Sequence, residues 1–145
     1  MKRVWTLPLL FAVGGAAVAA TSAVSGKPGT AALLLLVFLA LAAVHSPLIF
    51  PKPVGLREAQ GRSAADGRPV VLWRPGCMYC IRLRLRLGRN AGRLYWVDIW
   101  RDAAGAEAAR AANDGNETVP TVFIAGQPHT NPDPAWVREQ LSPSP

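Results

Sequence analysis

The sequence predicts an α/β domain of about 75 residues, ordered β-α-β-α-β-β-α, preceded by two transmembrane helices. Three observations carry this. Short apolar runs in the second half of the chain are each bounded by Pro, Gly or Asn/Asp clusters. Segments with helical periodicity or composition separate them. Two uncharged apolar stretches occupy the first 50 residues.

Charge is distributed unevenly. The chain has 145 residues and a formal net charge of +7, but residues 1–50 contain only Lys2, Arg3 and Lys27 as charged groups. Residues 69–145 carry nine Arg against seven Asp/Glu, close to neutral. Excess positive charge flanking apolar segments is the pattern of a membrane anchor with a cytoplasmic flank, not of a nucleic-acid-binding face. The aromatic residues do not accompany a basic stripe, so no nucleic-acid partner is expected.

The first apolar stretch, residues 4–24, includes Trp5, Leu7, Leu9, Leu10, Phe11 and Val13; the second, residues 31–50, includes Leu33 to Phe38 and Leu41. At a rise of 1.5 Å per residue, about 20 residues cross a hydrocarbon core of roughly 30 Å. Residues 21–30 between them are small and contain Gly and Pro, which suits a hairpin turn. A basic start and Ala-x-Ala-like sites around 17–23 also fit a cleaved signal peptide. If both stretches span, Lys2 and Arg3 share a side with Lys52, Arg57, Arg62 and Arg68, and the positive-inside rule puts that side in the cytoplasm. If the first is cleaved, the second still delivers the C-terminal half inside. The expected location is therefore the cell membrane, multi-pass, with the lipid bilayer as a partner and the α/β domain in the cytoplasm. Residues 51–68 read as an exposed cytoplasmic linker without apolar periodicity.

Within the domain, residues 69–142, the run Val70, Val71, Leu72, Trp73 suits an interior parallel strand ended by Arg74-Pro75-Gly76. Residues 78–90 have two readings. Ile81 to Leu87 alternates apolar and Arg as a half-buried strand would. Tyr79, Leu83 and Leu87 also recur at i, i+4, i+8, with Cys80 on the neighbouring turn, and Arg and Leu favour helix. Helix is the preferred reading. Residues 93–100 read as a strand and residues 102–113 as an alanine-rich helix under an Asp102 cap. Residues 121–124 form a third strand, Gly126-Gln127 a tight turn, and residues 128–131 an edge strand. Residues 133–141 close the domain as a helix with Trp136, Val137 and Leu141 inward.

The two cysteines, Cys77 and Cys80, form a single C-x-x-C pair at the end of the first strand. Structural zinc would need four ligands, and neither a second cysteine pair nor suitably spaced histidines complete a set, so no metal site is expected. A buried inert disulfide is the bland alternative, disfavoured for a cytoplasmic domain. The setting points to redox exchange instead. Pro75-Gly76 turns the chain and delivers Cys77 to a helix start, where free N–H groups and the helix dipole favour the thiolate. Cys77 is thus the expected nucleophile and Cys80 the resolving thiol. Val119-Pro120, ahead of an apolar strand, is the second half of the expected site. A cis bond there would turn the Val119 backbone toward the sulfurs; an ordinary trans proline opening a strand is the alternative.

The segment Trp73-Arg74-Pro75-Gly76-Cys77-Met78-Tyr79-Cys80-Ile81-Arg82-Leu83 resembles the active-site segment of glutaredoxins. Gly115-Asn116-Glu117-Thr118-Val119-Pro120-Thr121-Val122, with Thr130-Asn131-Pro132, extends the resemblance to the actinobacterial mycoredoxins and glutaredoxin-like proteins. It covers about half the chain, roughly residues 69–142. The resemblance implies a thioredoxin-like (glutaredoxin) fold, Cys77 as attacking thiol, Cys80 as second thiol and Pro120 as a cis-proline. It also implies a thiol-cofactor groove formed by Tyr79, Thr118, Val119 and Pro120. Such proteins reduce mixed disulfides with mycothiol or glutathione, a low-molecular-weight thiol co-substrate, and hold no permanent cofactor. Oxidised or thiolated proteins are the implied partners, and the expected membrane anchor extends these to membrane proteins. Three features depart from the pattern: Met78 stands where Pro or Gly is usual, the arginines after Cys80 are unusually dense, and the N-terminal membrane hairpin is absent from soluble members of the family, which favours substrates near the bilayer over a general cytosolic range. Two other functions fit parts of the sequence, an extracytoplasmic thioredoxin-like disulfide catalyst and a non-enzymatic membrane interaction module. The first needs an odd number of membrane crossings, and the second gives no reason for an intact C-x-x-C.

Overall fold

The computed structural model describes residues 5–141. Lys2, Arg3 and Val4, used above in the topology argument, and Ser142, the expected domain end, lie outside the described residues. The chain divides into two compact units, residues 1–49 and residues 50–145.

The first unit is a pair of helices, α1 (Thr6–Val24) and α2 (Pro28–His45), packed on each other. Both are uncharged and long enough to cross a membrane by length and composition. The turn between them is shorter than expected, since only Ser25, Gly26 and Lys27 separate the helices. Pro28 sits at the first helical position, where its missing N–H costs nothing, so α2 starts earlier than the apolar run. Gly15 lets the helices approach: a Cβ there would stand 2.3 Å from Phe38 Cβ. α2 ends at His45, ahead of Ser46-Pro47, and a short 3₁₀ turn covers Pro47–Ile49.

The second unit begins at Phe50, which the sequence reading had placed at the end of the second span. Its ring instead stacks on Trp73 at 3.9 Å between centroids and meets Trp96 edge-on at 5.5 Å. The supposed linker, residues 51–68, is also part of this unit. It holds α3 (Leu56–Asp66), with Leu56 and Ala59 buried. The Val54 N–H donates to the Trp96 carbonyl at 2.9 Å. Arg68 closes the far end, donating from Nε to the Arg93 carbonyl at 2.9 Å and lying over the Tyr95 ring. Leu56 and Ala59 are the buried apolar residues of α3, too few to register as periodicity, and hydrogen bonds such as that from the Tyr95 hydroxyl to Asp66 help dock the segment.

The remaining elements follow the expected order: β1 (Val70–Trp73), α4 (Met78–Leu87), β2 (Tyr95–Asp98), α5 (Ala103–Ala112), β3 (Thr121–Ile124), β4 (Gln127–Thr130) and α6 (Pro134–Glu139). The sheet runs β2-β1-β3-β4, with β1 parallel to β2 and antiparallel to β3, and β4 antiparallel to β3. α4 packs beside α6, and α3 packs beside α5 and against β1 and β2. β1 and β2 are buried along their whole length, although β1 alone of the two lies inside the sheet and β2 forms its edge. Asp102 caps α5 by accepting from the Gly105 N–H at 2.8 Å, as expected. The hairpin between β3 and β4 turns on Ala125-Gly126, one residue earlier than Gly126-Gln127, because Ile124 pairs with Gln127. Both turn residues have positive φ, the pattern of a two-residue hairpin loop.

Candidate redox site

Three chain segments meet at one end of the sheet: the loop leaving β1, the start of α4 and the loop entering β3. They meet because β1 ends where antiparallel β3 begins, with Leu72 opposite Thr121. Gly76 makes the loop possible. Its φ of +78° is a conformation that side-chain-bearing residues rarely adopt.

Cys77 is the N-cap of α4, and its sulfur accepts from the Cys80 N–H at 3.2 Å. The helical reading of residues 78–90 holds for Met78–Leu87; Gly88, at a φ of +55°, ends the helix, and a 3₁₀ turn covers Gly88–Arg93. Cys80, Ile81, Leu83 and Leu87 are buried, whereas Leu85 points outward. Tyr79, expected in the inner stripe, is exposed, because one helical position separates it from the Cys80, Leu83, Leu87 face. Cys77 is half-buried and Cys80 fully buried, and both are free thiols.

Their acidities diverge. A hydrogen bond from the Cys80 thiol, the N–H groups of Cys80 and Tyr79 and the charge of Arg74 outweigh burial and bring the Cys77 pKa down to about 7. Burial, with the hydrogen bond given to Cys77, pushes Cys80 strongly up. One sulfur is therefore a thiolate in half the molecules near neutrality, and the other keeps its proton.

Val119 comes to the same place. Protonated Cys77 donates to its carbonyl at 3.4 Å, and the Val119-Pro120 bond is cis. Pro120 is buried, and its carbonyl accepts from the Asn131 N–H at 2.7 Å. Thr118 is exposed, and its carbonyl accepts from the Thr121 hydroxyl at 2.8 Å. Tyr79 lines a small groove of about 160 Å³ with Arg82, Leu83, Asn131, Pro132, Asp133 and Pro134. Cys77, Cys80, Val119 and Pro120 are thus gathered, while the groove beside Tyr79 is walled by the turn between β4 and α6. Arg74, Arg82 and Asp133 were not anticipated. Arg74 sits three residues before Cys77, and Asn131-Pro132-Asp133-Pro134 is a dense breaker cluster, so both carried a signal in the sequence. Among the described residues no group of three His, Cys, Asp or Glu side chains could hold a metal ion.

The glutaredoxin family model matches residues 70–129. Two Mycobacterium tuberculosis proteins, from strains CDC 1551 / Oshkosh and ATCC 25618 / H37Rv, each named as a candidate glutaredoxin, are 42% identical to this chain over 66 residues. The aligned part is 45% of this chain and 79% of each relative. With a four-stranded mixed sheet, a C-x-x-C pair at a helix start and that identity across most of the relatives' length, the chain belongs to the glutaredoxin family of thiol–disulfide oxidoreductases.

Proposed function

We propose that this protein reduces mixed disulfides between proteins and a low-molecular-weight thiol, with Cys77 as nucleophile. The observation that carries the reading is the unequal pair: a half-exposed Cys77 with a pKa of about 7 one turn from a buried Cys80. The Cys77 thiolate attacks the thiol-derived sulfur of a mixed disulfide. A new disulfide forms between Cys77 and the small thiol, the old S–S bond breaks, and the protein thiolate leaves and takes a proton from solvent. A second molecule of the small thiol then attacks that sulfur, releasing its own disulfide and restoring Cys77. Alternatively Cys80 displaces the small thiol, giving an intramolecular Cys77–Cys80 disulfide that two further thiols reduce. In this reading Tyr79, Thr118, Val119 and Pro120 receive the thiol co-substrate, mycothiol or glutathione. The exposed Tyr79 beside its groove and the Val119 carbonyl against the sulfur support that assignment.

In the same reading, α1 and α2 form a membrane hairpin for a cytoplasmic redox domain. Their uncharged length supports it, as do Lys52, Arg57, Arg62 and Arg68 beyond the second helix. Its substrates are then oxidised proteins at or near the bilayer. The full chain in detergent, given peptide–mycothiol and peptide–glutathione mixed disulfides, should reduce one or both, and Cys77→Ser should not. Equal turnover by Cys77→Ser, or none by the parent with either thiol, would overturn the proposal.

A further inference from the structure

The helix that opens on Cys77 has two unlike faces. Cys80, Leu83 and Leu87 are buried against the sheet side. Arg82, Leu85 and Arg86 are exposed, and their i, i+3, i+4 spacing puts them on one stripe of α4; Arg89, also exposed, lies in the 3₁₀ turn Gly88–Arg93 that follows. Met78, next to Cys77, begins the stripe and is 60% exposed, and Leu85 in its middle is 54% exposed. Residues 77–94 hold five arginines and no acid. Among the described residues, none of Arg82, Arg86 and Arg89 takes part in an ion pair. Arg138 reaches over from α6 to the Arg86 carbonyl and adds a further cation to that side.

Arginines alone would suit any polyanion. Apolar Met78 and Leu85 held out among them suit a lipid surface better, where guanidinium groups meet phosphates and aliphatic side chains enter the headgroup boundary. The same chain carries two helices long enough to span a bilayer. We infer that the exposed stripe of α4, formed by Met78, Arg82, Leu85 and Arg86, together with exposed Arg89 in the 3₁₀ turn that follows, docks on a bilayer surface rich in anionic phospholipid and holds Cys77 at headgroup level. The inference rests on the reading of α1 and α2 as membrane spans. From Met78 to Arg86 the stripe is about 12 Å long, and Cys77 lies at its end. Docking would leave the sulfur at the rim of the contact, within reach of disulfides in membrane-adjacent segments.

The test uses the full chain in nanodiscs of phosphatidylcholine, with and without one-third phosphatidylglycerol. A spin label is attached at Leu85→Cys in a Cys77→Ser/Cys80→Ser background. With anionic lipid, collisions of the label with oxygen should rise and collisions with a water-soluble nickel chelate should fall. High salt should reverse the change. Each arginine near an anionic surface strengthens binding about fivefold, so Arg86→Glu/Arg89→Glu should abolish the effect. Arg86→Lys/Arg89→Lys should keep it. With native cysteines, both double variants should retain the melting temperature and the reduction rate of a soluble mixed disulfide. A label equally water-accessible in the two lipids overturns the inference. So does a label shielded by a short DNA duplex but not by anionic lipid, which would assign the face to nucleic acid. Release of the chain from membranes by alkaline extraction overturns the membrane-span reading and this inference together. Equal accessibility in a chain that resists extraction overturns this inference alone.

Discussion

The backbone N–H of Cys80 points at the sulfur of Cys77 from 3.2 Å, one turn inside the helix that Cys77 caps. This contact favours the thiolate, whereas the Val119 carbonyl, 3.4 Å from the same sulfur, can only accept from the protonated thiol. Deprotonation therefore exchanges the Val119 contact for a sulfur free to attack.

The first prediction follows from that exchange. Cys77 titrates near 7, below its ordinary value of 9.0, so it is mostly thiol at pH 5 and mostly thiolate at pH 8. Alkylation by iodoacetamide should be slow at pH 5, rise through a midpoint near 7 and level off above it. Peptide mapping should place the label on Cys77, with Cys80 unmodified in the folded protein. The stability consequence has a definite sign. Because the folded pKa lies below the unfolded one, ionisation of Cys77 adds stability fully present above pH 9 and lost as pH falls through about 7. A midpoint near 9, or first labelling at Cys80, would contradict the assignment.

Cys80 is predicted to act on Cys77 as a donor as well as a resolving thiol. Cys80→Ala removes the thiol hydrogen bond, the leading cause of the lowered Cys77 pKa, but keeps the backbone N–H. The alkylation midpoint should move upward in Cys80→Ala and less so in Cys80→Ser, whose hydroxyl can still donate. Both variants should reduce small-thiol mixed disulfides by the route that uses Cys77 alone. An unchanged midpoint in Cys80→Ala would leave the backbone N–H groups and Arg74 as the whole cause.

Asp102 is predicted to matter more than an ordinary helix cap. One carboxylate oxygen accepts from the Gly105 N–H at 2.8 Å, and the other accepts from the Leu56 N–H at 2.8 Å. A single side chain thus starts α5 and ties the first residue of α3 to it. Each such bond contributes about 1 kcal/mol, so Asp102→Ala should cost about 2 kcal/mol. That corresponds to a melting-temperature drop on the order of 10 °C for a domain of this size. Asp102→Asn keeps one acceptor oxygen and should fall about midway. A loss no larger than that of an exposed alanine substitution would show that α3 does not depend on this contact.

Local chemistry was legible in the sequence, and partnership between distant segments was not. Cys77 and Cys80, the Pro75-Gly76 turn and Val119-Pro120 each declare themselves within a few residues, because thiol activation and turn geometry are short-range effects. The Asp102 cap was readable for the same reason. Phe50 was not, since its place is set by Trp73 and Trp96, some 23 and 46 residues away. Residues 56–66 lacked a detectable stripe because α3 buries only Leu56 and Ala59 and is held at its ends by polar bonds, from the Leu56 N–H to Asp102 and from the Tyr95 hydroxyl to Asp66. Tyr79 lies one helical position off the buried face. An i, i+4, i+8 match cannot separate the face of Tyr79 from that of Cys80 when Leu83 and Leu87 border both.

The last prediction concerns which side of the membrane the cysteines face. A reporter active only outside the cytoplasm, fused after Pro145, should be silent, and the same reporter inserted at residues 25–29 should be active. Residues 6–24 and 28–45 contain no charge, so orientation depends on what flanks them. Lys2 and Arg3 precede the first helix, and Lys52, Arg57, Arg62 and Arg68 follow the second. For the proposed membrane hairpin, the positive-inside rule would place both ends in the cytoplasm. Lys27, at the tip between the helices, is the only charge opposing that orientation, one cation against six. The prediction also constrains the chemistry. On the cytoplasmic side both cysteines are kept reduced, and a thiol with a pKa of about 7 is poised to receive the small thiol of a mixed disulfide. On the outer side the pair would rest as a disulfide, and its task would be oxidation or isomerisation. An active fusion after Pro145 would therefore reverse both the topology and the direction of electron flow.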